Sequence, residues 1–118
     1  MNPILATNAF RSAVALAVAN GAAAPQATTI AFGTGTTLPS VDDVGLEAEF
    51  HRQPLTAATA TGVMLQLAAT LDGSDAGSAL VTEVGVFSAS GILMGRRVFQ
   101  PKKLEPETSI EFTLDFQF

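Results

Sequence analysis

The side chains that could do chemistry are few and stand in short, separate groups. His51 is the only histidine, and the chain has no cysteine. A zinc site built on one imidazole would need carboxylates for its remaining ligands. A catalytic histidine would need a nucleophile and an orienting acid, and the chain's serines stand in no G-x-S-x-G elbow. Asp42-Asp43, with Glu47 and Glu49 downstream, is the densest acidic cluster. Its spacing does not follow the D-x-D-x-D-G ligand order of a calcium loop. Asp72-Gly73-Ser74-Asp75 comes closer to a cation loop but offers only two carboxylates. Both groups read as solvated loop carboxylates, and His51 reads as a structural or surface residue. Gly33-Thr34-Gly35 is only a G-x-G, without the third glycine of a dinucleotide fingerprint or the Gly-Lys-Ser/Thr of a P-loop. No catalytic, cofactor or metal residue is assigned, and the expectation is a protein that is not an enzyme and carries no cofactor.

The one charge pairing that the sequence places is in residues 82–99. Two apolar runs flank the turn-forming Ser88-Ala89-Ser90-Gly91, which predicts a β-hairpin. Pairing across that turn puts Glu83 opposite Arg96 or Arg97, depending on whether the loop has four or three residues. One arginine is then an intrachain ion-pair partner of Glu83. The other points to the opposite face of the strand and is a candidate subunit-interface residue.

Residues 7–20 predict a helix. Thr7 or Asn8 can cap it, alanine dominates it, and Asn20-Gly21 supplies a left-handed stop. Phe10, Val14, Ala17 and Val18 form a slim apolar stripe. Such a stripe can lie close against a sheet or a copy of itself, so Phe10, Val14 and Val18 join Arg96 and Arg97 as subunit-interface candidates. Strands are expected at 28–32, 50–58 (weakened by Pro54) and 62–71, then in the hairpin, then at the C-terminus. Ser40 is expected to cap a short helical turn running to Leu46 or Glu47. Residues 72–78 read as an exposed loop and 101–106 as a turn. In the last strand Ile110, Phe112, Leu114, Phe116 and Phe118 alternate strictly with polar residues, which predicts one buried face. The expected fold is mainly β: an antiparallel β-sandwich or small barrel with one N-terminal α-helix. It forms a single domain over 1–118, with the helix at about 7–20 and the β-sandwich at about 26–118.

Composition narrows the partners. Of 118 residues, 47% are apolar and only 14% charged. That is a low charge density for a small domain, and it implies that part of the surface is covered by other subunits. A homo-oligomer is expected, with a trimer leading. Six basic against eleven acidic residues, and no basic run beyond Lys102-Lys103, leave nucleic-acid binding without an electrostatic source. No apolar run approaches the roughly eighteen residues of a membrane helix. The alanine-rich stretch 13–19 is preceded only by Arg11, so it is expected to be a helix of the mature protein and not a secretion signal.

In order along the chain stand an N-terminal helix, an apolar strand leading into G-x-G at Gly33-Thr34-Gly35, and a Pro/Ser/Asp loop. Leu46-Glu47-Ala48-Glu49-Phe50-His51-Arg52 comes next, followed by an acidic-Val-Gly-apolar-Phe hairpin at Glu83-Val84-Gly85-Val86-Phe87. Over roughly residues 7–101 this order resembles the N-terminal tail-collar fibre domains of tailed bacteriophages. The resemblance implies a structural virion part of the tail, collar or baseplate. It implies assembly in the host cytoplasm, symmetric association, and other virion proteins of tail, neck or capsid as partners. Such domains normally begin a long fibre, whereas this sequence stops at Phe118, so an adaptor is expected in place of a fibre. A capsid decoration protein fits the same size and charge. A ligand- or carbohydrate-binding module is the alternative of another class, and the absence of Trp and Tyr argues against it.

Overall fold

Thr7 shows how closely the local sequence sets the first element. The computed structural model describes residues 4–118, so the first three positions of the expected domain lie outside the described residues. Thr7 takes an extended backbone, its Oγ1 accepts from the Phe10 N–H at 3.1 Å, and its hydroxyl donates to the Leu93 carbonyl. Helix α1, Asn8–Asn20, follows, and Gly21 ends it at φ +69° with its N–H on the Ala17 carbonyl at 3.0 Å. One side chain therefore both caps the helix and ties it to the body of the protein.

The remaining elements are β1 (Ala27–Gly33), β2 (Glu49–Pro54), β3 (Ala57–Thr61), β4 (Met64–Asp72), the short α2 (Gly73–Ala76), β5 (Leu80–Ser88), β6 (Leu93–Lys103) and β7 (Ser109–Gln117). They form two antiparallel sheets, ordered β2-β1-β5-β6 and β3-β4-β7. Phe32, Val84 and Met94 from the first meet Leu67, Leu114 and Phe116 from the second in one core. This is the expected β-sandwich, and among the described residues it does not close into a barrel.

Several local expectations are corrected. The strand expected over 50–58 is two strands in different sheets. β2 ends at Pro54, where the missing N–H suits a strand end, and Leu55 turns the corner with its N–H on the Thr28 carbonyl at 3.0 Å. Ser40 caps no helix. It closes a turn in which the Asp43 N–H reaches its carbonyl at 3.1 Å. Residues 72–78 contain α2, whose Gly73 and Ala76 are buried: Ala76 joins the hydrophobic core, and the Gly73 N–H bonds the Thr108 carbonyl at 2.7 Å. The turn expected at 101–106 starts later, since β6 runs to Lys103. On β7 the alternation holds for Phe112, Leu114 and Phe116, whereas Ile110 is half-buried and Phe118 lies beyond the strand and is 61% exposed.

β5 has both faces covered. From Val81 to Ser88 every residue is buried. One face lies on the core; the other lies beneath the long β1–β2 loop, residues 34–48, whose Leu46 packs on Ala31, Phe87 and Leu93. The N-terminal segment closes one flank of the sandwich. The Ile4 N–H bonds the Asp115 carbonyl of β7 at 2.7 Å, Ala6 bridges to Gly95 of β6, and the Thr7 N–H bonds the Met94 carbonyl at 3.0 Å.

Candidate functional site

Among the described residues the densest polar arrangement is built around the Glu83 carboxylate, on the loop-covered face of β5. Glu83 is fully buried, and a buried carboxylate must be compensated. Its Oε2 accepts from the Gly35 N–H at 2.8 Å and the Ala48 N–H at 2.7 Å. Its Oε1 accepts from the Glu47 N–H at 3.0 Å and from Arg96 Nε at 2.8 Å. Arg96, 3% exposed, then donates Nη1 to Asp43 Oδ2 at 3.0 Å and Nη2 to the Thr37 carbonyl. Glu47 completes the set from the loop side. It accepts from the Thr36 and Thr37 N–H groups at 2.8 and 3.0 Å and from the Thr37 hydroxyl at 2.6 Å. A loop of this length would otherwise leave these backbone donors over a sheet face with no partner.

The glycines of G-x-G have a steric reason here. A Cβ at Gly33 would stand 2.5 Å from Glu83 Oε2 and 2.7 Å from the Ala48 carbonyl oxygen. One at Gly35 would meet Glu83 Oε2 and, at 2.5 Å, the Cβ of Glu47. Gly85 plays the reciprocal part: a Cβ there would stand 2.5 Å from Leu46 Cδ1. The rest of the Leu46–Arg52 stretch is also used for packing. Arg52 makes a two-pronged pair with Glu49 at 2.8 and 2.9 Å, and its guanidinium sits 4.0 Å from the centre of the Phe87 ring. His51 lies nearly parallel to Phe32 and shares Nε2 with Gln53 Oε1 at 2.8 Å, with Asp75 at 3.8 Å.

The electrostatics follow from this geometry. Burial works to raise the Glu83 pKa, but the Arg96 pair and the three backbone N–H groups outweigh it and hold it below the ordinary carboxylate value. Burial likewise opposes the charge on Arg96, and the hydrogen bond and charge of Glu83, with Asp43 behind them, raise its pKa. The Thr37 hydroxyl and backbone, then Thr36, lower the pKa of Glu47. A carboxylate whose folded pKa is depressed stabilises the fold above its unfolded pKa, and that contribution is lost as pH falls through the folded value. We therefore expect the urea midpoint to hold from neutral pH down to about 4.5 and to fall steadily below it. A midpoint unchanged down to about pH 3 would show that the fold does not hold the Glu83 carboxylate below its ordinary value.

The arrangement acts as a clamp, with both Glu83 oxygens engaged by N–H donors from the loop and from Arg96. It corrects two expectations. Asp43 and Glu47 are not merely solvated, since they hold Arg96 and the loop. Glu83 does not face an arginine across the ladder either. Its partner is Val98, with Arg97 opposite Val84 and Arg96 opposite Gly85. The register shift between Val86 and Phe87, where Gly95 and Leu93 are the respective partners and Met94 is extra, advances β6 by one residue. Arg96 then reaches Glu83 along the sheet diagonal.

The five interface candidates fall in different surroundings. Arg96 is consumed by the clamp. Phe10 is the one buried residue of α1, wedged edge-on against Phe116 and Phe118 with ring centroids 5.9 Å away in each case. Arg97 is half-buried on the opposite side of β6, Val14 is half-buried, and Val18 is 83% exposed. Val14 lines an apolar groove of about 700 Å³ between α1 and the end of β7, with Leu5, Phe10, Phe116 and Phe118. Sequence reasoning missed this groove, because Phe118 read as core. It also missed the clamp, although the G-x-G, the Leu46–Arg52 stretch and Glu83 had each been singled out. Among the described residues no three His, Asp or Glu side chains stand together as a metal set, and no helix is long and apolar enough to cross a membrane. No family model matches this chain, and no curated protein matches it.

Proposed function

We propose that the chain is a non-enzymatic structural component of a bacteriophage virion, in the tail, collar or baseplate, and that it works by symmetric association. The observation that carries this reading is the meeting of its motifs. Gly33-x-Gly35, Leu46-Glu47-Ala48 and Glu83-Val84-Gly85, far apart in sequence, interlock at one clamp. These are the motifs whose order resembles the tail-collar domains, and their sharing one packing unit supports that reading. Association is supported by the poor cover over α1. A helix of 13 residues is marginal on its own, yet only Phe10 is buried, while Leu16 and Val18 are 54% and 83% exposed. Val14, Val18 and Arg97 remain the interface candidates on this reading.

The test is to purify phage particles from cells carrying this coding sequence and to quantify the chain by mass spectrometry. The expected result is a stoichiometric virion component that a density map then places at the tail, collar or baseplate. Particles that are infectious and free of the chain would sink the proposal.

A further inference from the structure

A β-sandwich has sheet edges, and an unprotected edge is a template for another strand. In this molecule three of the four edge strands are blunted. The start of β6 and the end of β7 are covered by the segment that carries Ile4, Ala6 and Thr7, through its backbone bonds to Met94 and Asp115 and its bridge to Gly95, while the rest of β6 carries Pro101, Lys102 and Lys103 and the rest of β7 carries Glu111. β2 carries the Glu49–Arg52 ion pair, ends in Pro54, and has a register shift where it pairs with β1. These are the usual devices: cover, charge, proline and bulge.

β3 has none of them. Its sequence is Ala57-Ala58-Thr59-Ala60-Thr61, without charge or proline, and all five residues are exposed. Its ladder with β4 is unbroken from Ala57↔Ala68 to Thr61↔Met64. Among the described residues nothing pairs with its outer side. The two-residue turn Gly62-Val63 makes Thr61↔Met64 a hydrogen-bonded pair, so Thr59↔Gln66 is another. The backbone groups of Ala58 and Ala60 therefore point outward, away from β4.

We propose that β3 is the self-association edge and that its occupant is β3 of a second copy of this chain. The inference rests on the reading of the protein as a self-associating part. The strand is self-complementary about Thr59. An antiparallel two-fold pairing lets Ala58 and Ala60 of each copy exchange both backbone bonds with Ala60 and Ala58 of the other. Thr59 then stands opposite Thr59 of the partner subunit in a close, non-hydrogen-bonded pair, where two threonines interact favourably. No like charges are brought together, because the strand has none, and the alanines leave no bulk to clash. The two three-stranded sheets become one continuous sheet across an isologous interface. The apolar surface beside it runs on in each copy, since Ala58 and Leu65 line a groove with Phe10, Val14 and Phe118.

The experiment measures mass against concentration, by sedimentation, for the full chain and for Thr59→Lys, Thr59→Glu and their equimolar mixture. Thr59 is exposed and its backbone bonds to β4 are untouched, so melting curves should show both variants folded. The wild type is expected to be a dimer. Each single variant should raise the dissociation constant on the order of tenfold or more, because like charges then face each other on the two-fold axis. The mixture should recover the dimer, because Lys then faces Glu. Ala60→Pro, which removes an outward N–H and no bond to β4, should also weaken the dimer. An oligomer that neither Thr59 variant disturbs, a trimer included, overturns the β3 edge and leaves self-association standing. A wild type that stays monomeric at high concentration overturns both, and a strand from a different protein then becomes the occupant to seek.

Discussion

Replacing Glu83 with alanine is expected to destabilise the fold by about 3–5 kcal/mol, the cost of leaving one partner of a buried ion pair uncompensated. That is a large share of the roughly 5–15 kcal/mol that holds a domain together. The damage has two parts. Arg96, almost wholly buried, keeps Asp43 and the Thr37 carbonyl but loses its nearest counter-charge. The Gly35, Glu47 and Ala48 N–H groups lose their acceptor at the same time. The second part separates this clamp from an ordinary ion pair. Where only two charges are buried, removing both together recovers much of the loss. Here the Glu83→Ala/Arg96→Ala double variant should stay close to Glu83→Ala, because the loop donors remain orphaned. Urea denaturation of the three variants makes the comparison. A loss under about 1 kcal/mol for Glu83→Ala, or near-complete recovery in the double variant, would refute the clamp as described.

The second large effect is expected at Phe116. It is buried at the end of β7, edge-on to Phe10, and close enough to β6 that a Cβ at Gly95 would stand 3.0 Å from its ring. Phe116→Ala should cost about 3–5 kcal/mol, since the lost burial adds to a cavity that the neighbouring strands cannot close. It should also loosen α1, whose only buried side chain rests on that ring. Phe118→Ala is the contrast. It is mostly exposed, so its loss should be within about 1 kcal/mol even though it too touches Phe10. Thermal melts followed by far-ultraviolet circular dichroism would show both. Equal losses at the two positions would mean that the C-terminal strand is not anchored where its alternation stops.

The groove beside α1 and the open edge of β3 lie on surfaces that share Phe10, Val14 and Phe118 as lining. Beside them on α1, Leu16 and Val18 are 54% and 83% exposed. Val18→Asp would test whether the helix takes part in the same contact or in a separate one.

Features that depend only on neighbours in the chain were legible in the residues alone. Thr7 and Gly21 set the ends of α1, because a cap and a left-handed stop act over a few residues. The alternation of Phe112, Leu114 and Phe116 set β7 and its buried face, because a strand's period is two wherever it is placed. Ser88 to Gly91 set the hairpin turn, and short strands between turn signals were enough for a mainly β sandwich. Tertiary structure decided the rest, because long-range packing overrides local preference. Only the sheet-to-sheet corner at Leu55 divides β2 from β3. Only the extra residue at Met94 selects Arg96, and not Arg97, for Glu83. The purpose of Gly33 and Gly35 was invisible until a carboxylate from a strand some fifty residues away came within 2.5 Å of where a Cβ would sit at Gly33. The exposure of α1 and of β3 was invisible for the same reason. A residue's pattern says which side of its element is apolar, but which element comes to cover it is settled only when the whole chain has packed.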